Sequence, residues 1–182
     1  MTQEEQDQCI RKCRQQDRKA QKLLYETYYG FVYTIAARYS SSKEETKELT
    51  NDIFFRIFEK IEYFKEGTQF KSWLSTVAIR LAIDKYRTQI NQIKFDSQEV
   101  ALTFGIRDDL QIIDKLDLEE KIQLVQKLSP AYRTVFNLYV FEQYTHEEIA
   151  DLLKISTGTS KSNLSKARIQ LKNLIAQYHF IQ

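Results

Sequence analysis

The side chains best suited to chemistry lie within residues 157–172, a stretch with four basic residues and no acidic one. The basic side chains are Lys161, Lys166, Arg168 and Lys172. Short polar side chains lie between them, namely Thr159, Ser160, Ser162, Asn163 and Ser165. Lysine and arginine neutralise phosphates, whereas hydroxyl and amide groups also hydrogen-bond to the edges of bases. The predicted chemistry is therefore the binding of a nucleic acid.

Two helices joined by a tight turn are predicted to position these side chains. Thr145 and Glu148 have the spacing of a capping box that starts the first helix. The apolar face of that helix is Ile149, Leu152 and Leu153. The pattern breaks at residues 154–156, and Ser156 or Thr157 can cap a second helix. Its apolar positions are Leu164, Ala167, Leu171 and Leu174. This is the layout of a helix-turn-helix whose second helix enters the major groove; the alternative is a basic, solvated helix in an ordinary bundle.

Two further helices are predicted before this pair. Asp117 and Glu120 have the spacing of another capping box, and Ser129 followed by Pro130 combines a helix cap with a proline at the first helical position. The apolar residues of the two helices are Leu118, Ile122, Val125, Leu128, Tyr132, Val135, Phe136 and Tyr139. Four helices within residues 117–178 predict one small domain.

The N-terminal half is predicted to form a second group of helices. A polar helix occupies residues 1–20, and an amphipathic helix follows it. Ser42 and Glu45 form a capping box for the next helix. The apolar stripe of that helix is Leu49, Ile53, Ile57 and Ile61. Phe54 and Phe58 widen the stripe to more than half of the circumference, so this helix is either buried on two sides or covers a partner.

A loop around Gly67 leads into a helix that mixes aromatic, apolar and basic residues. Its inward-facing positions are predicted to be Phe70, Trp73, Leu74, Val77, Ala78 and Leu81, and its basic residues are Lys71, Arg80, Lys85 and Arg87. Aromatic rings among basic side chains stack on unpaired bases while the charges neutralise the backbone. Tyr63, Phe64 and Trp73 are also compatible with a place in the hydrophobic core, and the composition alone favours that simpler role.

Charge is unevenly distributed along the chain, although the formal net charge is only +2. Residues 1–95 carry +4, residues 96–120 carry −6 and residues 121–182 carry +4. Four glycines and one proline in 182 residues predict an all-α chain. The predicted architecture is two small helical domains joined by an acidic linker at residues 91–116, with the helix-turn-helix in the C-terminal domain. The linker itself is best interpreted as a solvated spacer.

Several classes of protein are disfavoured. There is no nucleophile elbow and no phosphate-binding glycine loop, so we expect neither enzymatic activity nor a cofactor. Cys9 and Cys13 are the only cysteines and have no further ligands nearby in sequence, so we expect reduced thiols and no metal site. No apolar run is long enough to span a membrane and no signal-peptide core is present, which predicts a cytoplasmic protein with no membrane insertion of its own.

Two sets of motifs resemble a known family. The first set lies in the helix-turn-helix: Glu148-Ile149-Ala150, Leu153, Ile155-Ser156, Gly158-Thr159, Lys161-Ser162 and Ala167-Arg168. The second set lies in residues 24–87: Tyr28-Tyr29-Gly30, Val32-Tyr33, Glu48-Leu49, Asp52-Ile53-Phe54, Phe70, Trp73-Leu74, Ala78, Asp84 and Arg87. Both resemble the domains of bacterial extracytoplasmic-function (ECF) sigma factors, the small promoter-recognition subunits of RNA polymerase, and they occur in the same order.

The resemblance implies a role for each domain. Residues 21–90 would bind core RNA polymerase and the −10 element, and residues 117–178 would bind the −35 element. The implied contacts with the β′ clamp helices are Leu49, Asp52, Ile53 and Ile57. The implied −10 residues are Tyr63, Phe64, Lys71, Trp73 and Arg80. The implied −35 residues are Thr159, Lys161, Ser162, Asn163, Lys166 and Arg168, with Asn163 as the base reader. Further implied partners are the β flap and an anti-sigma factor, and the linker would pass near the RNA path.

Four positions depart from the family pattern. Lys154 stands where the turn usually has glycine, so a left-handed backbone is expected there at some cost. Asn163 stands where many members have arginine, which leaves the base preference open. Asn51 replaces a usual glutamine, and Arg80 replaces a common asparagine, so Arg80 is as compatible with a phosphate contact as with a base contact.

Two other functions fit parts of the pattern. One is a one-component regulator that dimerises through the face formed by Leu49, Phe54 and Phe58. The other is a helical interaction module with no role on DNA, which leaves the acid-free helix unexplained. A single DNA-binding module buries only roughly 600–1,000 Å² of protein surface, so a second contact must add affinity. The non-repeating, aromatic-rich N-terminal domain favours the partner-dependent sigma factor.

Overall fold

The computed structural model describes residues 1–92 and 117–179, and the regular elements within those ranges are helical. In chain order the helices are α1 (Gln3–Arg14), α2 (Arg18–Tyr39), α3 (Lys43–Lys60), α4 (Phe70–Gln92), α5 (Leu118–Gln126), α6 (Pro130–Phe136), α7 (His146–Leu153) and α8 (Thr157–His179). A 3₁₀ turn at Ile61–Tyr63 follows α3, and a π-helical turn at Asn137–Phe141 follows α6. The predicted all-α fold class is confirmed.

The chain divides into two compact units, Met1–Ala82 and Ile83–Gln182. The first unit contains α1 together with α2, α3 and the first part of α4, so the polar N-terminal helix packs as part of that unit. The linker predicted over residues 91–116 begins inside α4, which continues to Gln92. The rest of that linker, and its predicted course near the RNA path, lie outside the described residues.

Apolar residues at helical spacing build the core of the first unit. Its most deeply buried aliphatic side chains include Leu24, Val32, Ile53, Ile57 and Leu74. Aromatic rings join the helices: Tyr25 on α2 lies 4.4 Å from Phe54 on α3, and Tyr28 lies edge-on to Phe70 on α4 at 5.2 Å between ring centroids. Each fully buried large apolar side chain contributes roughly 1.5–3 kcal/mol, so this core fixes which faces of α3 and α4 remain outside.

Side-chain caps fix where the helices start. Asp117 forms the predicted reciprocal capping box with Glu120 at the start of α5. Ser42 caps α3 by accepting a hydrogen bond from the N–H of Glu45 at 3.1 Å. The Glu45 carboxylate, however, accepts from the N–H of Ser41 at 2.7 Å. In the reciprocal hydrogen bond of the predicted capping box, Glu45 therefore accepts from Ser41, the residue before the cap, and not from Ser42.

The second unit is organised around α6 and α8. Ser129 caps α6 by accepting from the N–H of Tyr132, and Pro130 is the first residue of the helix, as predicted. The guanidinium of Arg133, which is only 3% exposed, donates to the carbonyl of Gln126 at 3.0 Å. Buried apolar side chains of α5, α6 and the following turn are Leu124, Val125, Val135, Phe136 and Leu138.

Cys9 and Cys13 lie on the buried face of α1, and both are free thiols. Burial raises the pKa of both thiols, that of Cys13 to about 12, so they are protonated at neutral pH. Within residues 1–92 and 117–179, no group of three or more His, Cys, Asp or Glu side chains is arranged to hold a metal ion. No helix in these ranges combines the length and the apolar character needed to cross a membrane.

Candidate nucleic-acid interface

The first helix of the helix-turn-helix, α7, begins and ends as the sequence predicts. The Thr145 hydroxyl accepts from the N–H of Glu148 at 3.2 Å, and the Glu148 carboxylate accepts from the N–H of Thr145 at 2.8 Å. The hydrogen bond from the Thr145 N–H, together with one that the Thr145 hydroxyl donates to the same carboxylate at 2.9 Å, favours the ionised form and lowers the pKa of Glu148. The helix ends at Lys154, whose φ of 58° and ψ of 44° confirm the predicted left-handed backbone.

The second helix, α8, is capped by Ser156 rather than Thr157. The Ser156 hydroxyl accepts from the N–H of Thr159 at 2.9 Å, so α8 starts one residue after the cap. Its buried apolar side chains are Leu164, Ala167, Leu171 and Ile175. Leu174, which the periodicity places on the apolar face, is only half-buried, because Ile175 takes the inner position one residue later.

One of the polar residues of α8 that were predicted to reach DNA instead forms a hydrogen bond with α7. Ser160 is fully buried, and its hydroxyl lies 2.9 Å from Nδ1 of His146. The expectation that Ser160 reaches phosphates or bases is therefore wrong, since its hydrogen-bonding group faces the interior. Sequence reasoning missed His146 because its partner lies 14 residues away, on the neighbouring helix.

The ring of His146 belongs to a small cluster on the flank of α8. It stacks on Tyr139 at 4.7 Å between centroids, and the guanidinium of Arg168 lies 5.8 Å from the centre of the same Tyr139 ring. Burial lowers the pKa of His146, with a further lowering from the charge of Lys161. Arg168, which is half-buried, thus has an aromatic neighbour that orients it at the edge of the helix.

The six predicted −35 residues do not share one face of α8. Lys161 is exposed, whereas the other five are half-buried. Successive residues are rotated by about 100°, so Lys161 and Asn163 lie about 160° apart around the helix. Gln170, on the Asn163 side, donates to a backbone carbonyl just after α5 at 3.3 Å. Ser162 and Lys166, one turn apart, lie on the outward face between these two flanks.

Tyr63 and Phe64, two predicted −10 residues that are neighbours in the loop after α3, differ in their exposure. Tyr63 is 77% exposed, but Phe64 is only 2% exposed. The Phe64 ring lies edge-on to Phe70 at 5.0 Å and to Trp73 at 5.5 Å. Phe64 is therefore a core residue, and its predicted place on the DNA surface is wrong because packing against α4 buries its ring.

The three predicted −10 residues on α4 also divide between faces. Trp73 and Arg80 are seven residues apart, two helical turns, and so lie on one stripe. Trp73 is half-buried and Arg80 is exposed. Lys71 lies about 180° from Arg80 around the helix, and its ammonium is 5.8 Å from the centre of the Phe31 ring on α2. Lys71 and Arg80 therefore lie on opposite faces of α4 and cannot form one continuous basic surface.

The predicted polymerase-binding residues on α3 are mostly internal. Leu49, Ile53 and Ile57 are at most 2% exposed, so their side chains lie beneath the surface of α3, and their place on or near the polymerase contact stays a prediction. They face the core because α2 covers that side of the broad apolar stripe. Asp52 is exposed, and one turn later Phe55 is 67% exposed. Phe55 was missed because it lies outside the apolar stripe.

The dimerisation face of the one-component regulator is internal as well. Leu49 and Phe54 are each 2% exposed, and Phe54 packs on Tyr25 of α2. Of the three residues proposed for that face, Phe58 alone is partly accessible. A second copy of the chain cannot use a surface that already forms the core of the first unit.

Known proteins similar to this chain align along most of its length. The ECF RNA polymerase sigma factor SigW of Bacillus subtilis is 27% identical over 174 residues, which cover 90% of this chain and 92% of that protein. The RNA polymerase sigma-H factor of Pseudomonas aeruginosa is 22% identical over 178 residues, 92% of each chain. Among solved structures, the sigma factor RpoE in complex with the anti-sigma factor NepR from Bartonella quintana gives a TM-score of 0.48 at 21% identity, covering 85% of this chain and 96% of that one.

Two family models match the chain in order. Sigma-70 region 2 matches residues 24–90, and Sigma-70, region 4 matches residues 118–171. The first match includes α3 and the loop that carries Tyr63, and the second includes the helix-turn-helix. Together they account for more than half of the chain, and they do not support the one-component regulator. The chain therefore belongs to the sigma-70 family as an ECF sigma factor, a subunit that binds core RNA polymerase, recognises promoter DNA and directs the initiation of transcription.

Proposed function

We propose that this sigma factor engages the polymerase and the −10 element through two exposed aromatic side chains, Phe55 and Tyr63. Among the aromatic residues that the structure describes, only these two are largely exposed, at 67% and 77%. Aromatic side chains are enriched at protein interfaces and form stacking platforms for unpaired bases. The exposure of these two rings is the observation that carries the proposal.

The polymerase contact centres on the outer face of α3. Phe55 and Asp52 are one helical turn apart, so an apolar anchor and a carboxylate lie side by side. Next to them Arg56 and Glu59 form an ion pair at 3.3 Å, which gives the apolar anchor a polar rim. We assign this face to the β′ clamp helices. Buried Ile53 then acts indirectly, by fixing the orientation of α3.

The −10 contact centres on Tyr63. A base stacked on an aromatic ring contributes roughly 1–3 kcal/mol, and Tyr63 is exposed enough to accept one. Arg80 would neutralise a phosphate, and the accessible edge of Trp73 lies on the same stripe of α4. Lys71 would contribute a second, separate phosphate contact. Phe64 supports the loop from within.

The −35 contact centres on the outward face of α8. Ser162 and Lys166 would face the major groove, with Asn163 and Thr159 on one flank and Lys161 on the other. The two lysines would contact phosphates, and Asn163 would read a base, since a carboxamide can bond to adenine in two places. Arg168 lies beside Tyr139, so we assign it a phosphate at the edge of the groove. The same domain would contact the β flap.

The remaining features of the proposal follow from membership of the family. Residues 21–90 and 117–178 act as separate polymerase- and DNA-binding domains joined by the linker at residues 91–116. The protein acts in the cytoplasm and has no catalytic activity of its own. An anti-sigma factor is the expected regulatory partner, because members of this family are commonly held inactive by one.

Gel filtration with bacterial core RNA polymerase tests the polymerase contact. The wild-type protein is expected to run as a monomer alone and to co-elute with core polymerase at near-stoichiometric ratio. Phe55→Asp should stay monomeric and folded but lose co-elution. The matched control is Leu23→Asp, which places the same charge on another exposed apolar residue, 51% exposed, on α2. Co-elution of Phe55→Asp at the wild-type ratio would refute the assignment of this face.

A further inference from the structure

A single arginine of α1 holds the loop that follows α3. The guanidinium of Arg14 donates to the carbonyl of Phe64 at 2.5 Å and to that of Ile61 at 3.4 Å. It also forms an ion pair with Glu66 at 2.8 Å. Arg11, one turn earlier on α1, makes a second ion pair with the same carboxylate at 3.4 Å. One side chain therefore contacts the loop at three points, about 50 residues away in sequence.

These contacts bracket the most exposed aromatic ring of the described chain. Ile61 and Phe64 are 1% and 2% exposed, whereas Tyr63 between them is 77% exposed. The side chains of Ile61 and Phe64 anchor the loop in the core, and Arg14 hydrogen-bonds to the backbone carbonyls of the same two residues. Exposed Tyr63 therefore lies in a segment that is held both by its buried side chains and by its backbone carbonyls.

The helix that carries Arg14 is itself firmly attached to the unit. Its residues Cys9, Ile10 and Cys13 are at most 5% exposed. The thiol of Cys9 donates to the carbonyl of Ala20 at 3.4 Å, and the hydroxyl of Tyr28 donates to Gln6 at 2.5 Å. Because α1 is fixed to α2 by packing and hydrogen bonds, it can serve as a rigid support for the loop.

We propose that Arg14 is a positioning residue for promoter melting, which holds the loop so that Tyr63 is ready to capture an unpaired base of the −10 element. This inference rests on the role proposed above for Tyr63. The planar guanidinium donates several hydrogen bonds in a fixed geometry, which a lysine ammonium does not reproduce. A loop ordered before binding loses less freedom on binding, so Arg14 raises affinity without touching DNA.

The loop arrangement has an intrinsic reporter, because Trp73 is the only tryptophan in the chain and packs against Phe64. Arg14→Ala should release the loop and increase acrylamide quenching of Trp73 fluorescence in the full-length protein. Arg14→Lys should give an intermediate value. The matched control is Arg18→Ala, which removes the same charge from an exposed position at the start of α2.

The functional measurement is the affinity of each variant, in complex with core polymerase, for a fluorescent single-stranded oligonucleotide. The oligonucleotide is first selected from a random pool by the wild-type complex. Tyr63→Ala should weaken binding by roughly fivefold or more. Arg14→Ala should also weaken it, but by no more than Tyr63→Ala does, because Arg14 acts only through the position of that ring. In the Tyr63→Ala background, Arg14→Ala should have little further effect, since the ring that it positions is gone.

Each outcome decides one assignment. Loss of binding in Tyr63→Ala with wild-type binding in Arg14→Ala would overturn the role of Arg14 and leave that of Tyr63 standing. Wild-type binding in Tyr63→Ala would overturn the proposed −10 contact instead. If Arg14→Ala lowers the melting temperature too far for a fair test, Glu66→Gln provides a second variant. It removes both ion pairs and keeps the carbonyl contacts, so a partial increase in quenching is expected and an unchanged value contradicts the proposal.

Discussion

The imidazole Nδ1 of His146 lies 2.9 Å from the hydroxyl of Ser160, which joins the first residue of α7 to the buried face of α8. Ser160 is fully buried, so this is the hydrogen bond that satisfies its hydroxyl inside the helix-turn-helix. The angle between the two helices determines how α8 meets DNA. His146 is therefore a support for the recognition helix rather than a contact with DNA.

Replacement of His146 should change how the stability of the protein depends on pH. Burial and Lys161 lower the pKa of His146, as does Arg168, while Glu147 acts in the opposite direction. The unfolded chain then binds the proton more tightly than the folded one, so stability should fall as the pH drops below 6.5, the ordinary pKa of histidine. Urea unfolding at several pH values should show this loss in the wild type and not in His146→Asn.

Removing the other partner tests the hydrogen bond itself. Ser160→Ala should lower the free energy of unfolding by about 1 kcal/mol. In a double-mutant cycle, Ser160→Ala should cost less when His146 is already replaced by Ala. Additive effects of the two changes in urea unfolding would show that the two side chains are not coupled.

Substitutions of Ile53 and of Phe55 should have different effects, the first on stability and the second on polymerase binding. Ile53→Ala removes a fully buried side chain from α3 and should lower the free energy of unfolding by about 2–5 kcal/mol. Phe55→Ala removes an exposed ring and should change stability by no more than about 0.5 kcal/mol. Phe55→Ala should nevertheless weaken polymerase binding by roughly tenfold, as expected for a central aromatic anchor. Large destabilisation by Phe55→Ala would contradict its exposed position.

Glycine in place of Lys154 should make the left-handed turn, and with it the folded protein, more stable. A residue with a Cβ is strained at a φ of 58°, whereas glycine is not. Lys154→Gly should therefore raise the free energy of unfolding by about 0.5–1 kcal/mol. Lys154→Ala is the matched control, because it removes the charge and keeps the Cβ, and it should show no such gain in urea unfolding.

Lys161 and Lys166 should each account for part of the salt dependence of promoter binding. A phosphate contact releases a counterion, so Lys161→Ala and Lys166→Ala should each lower the slope of log affinity against log salt by about one unit. Filter binding or anisotropy of the holoenzyme on a −35 fragment at several salt concentrations gives the slope. Lys121→Ala on α5 is the control. Wild-type slopes in both variants would show that α8 is not the recognition helix.

The parts of the structure that depend on neighbouring residues were predictable from the sequence. The capping boxes at Asp117 and Thr145 involve residues three positions apart, so composition and spacing suffice to place them. The left-handed Lys154 follows from the same local logic. The all-α architecture and the helix-turn-helix were likewise accessible, because helical periodicity is a local signal.

The site depends on contacts that spacing does not encode. The apolar stripe of α3 covers more than half of its circumference, so only the packing of α2 decides that Ile53 is inside. Phe64 and Tyr63 are adjacent and both aromatic, yet one is buried and the other exposed. Arg14 and Phe64 are separated by 50 residues, and His146 and Ser160 by 14. No local pattern predicts such pairs.

The way α8 is capped has a consequence for its electrostatics. Its neighbours α5 and α7 each carry two acidic side chains in the first turn, whereas α8 carries none. Its cap is the neutral hydroxyl of Ser156. The aligned peptide dipoles place roughly half a positive charge at the start of a helix, and the first turn of α8 holds no carboxylate to offset it. The backbone of α8 should therefore add to the attraction that we propose between Lys161 and a phosphate, and this part of the attraction needs no side chain that titrates.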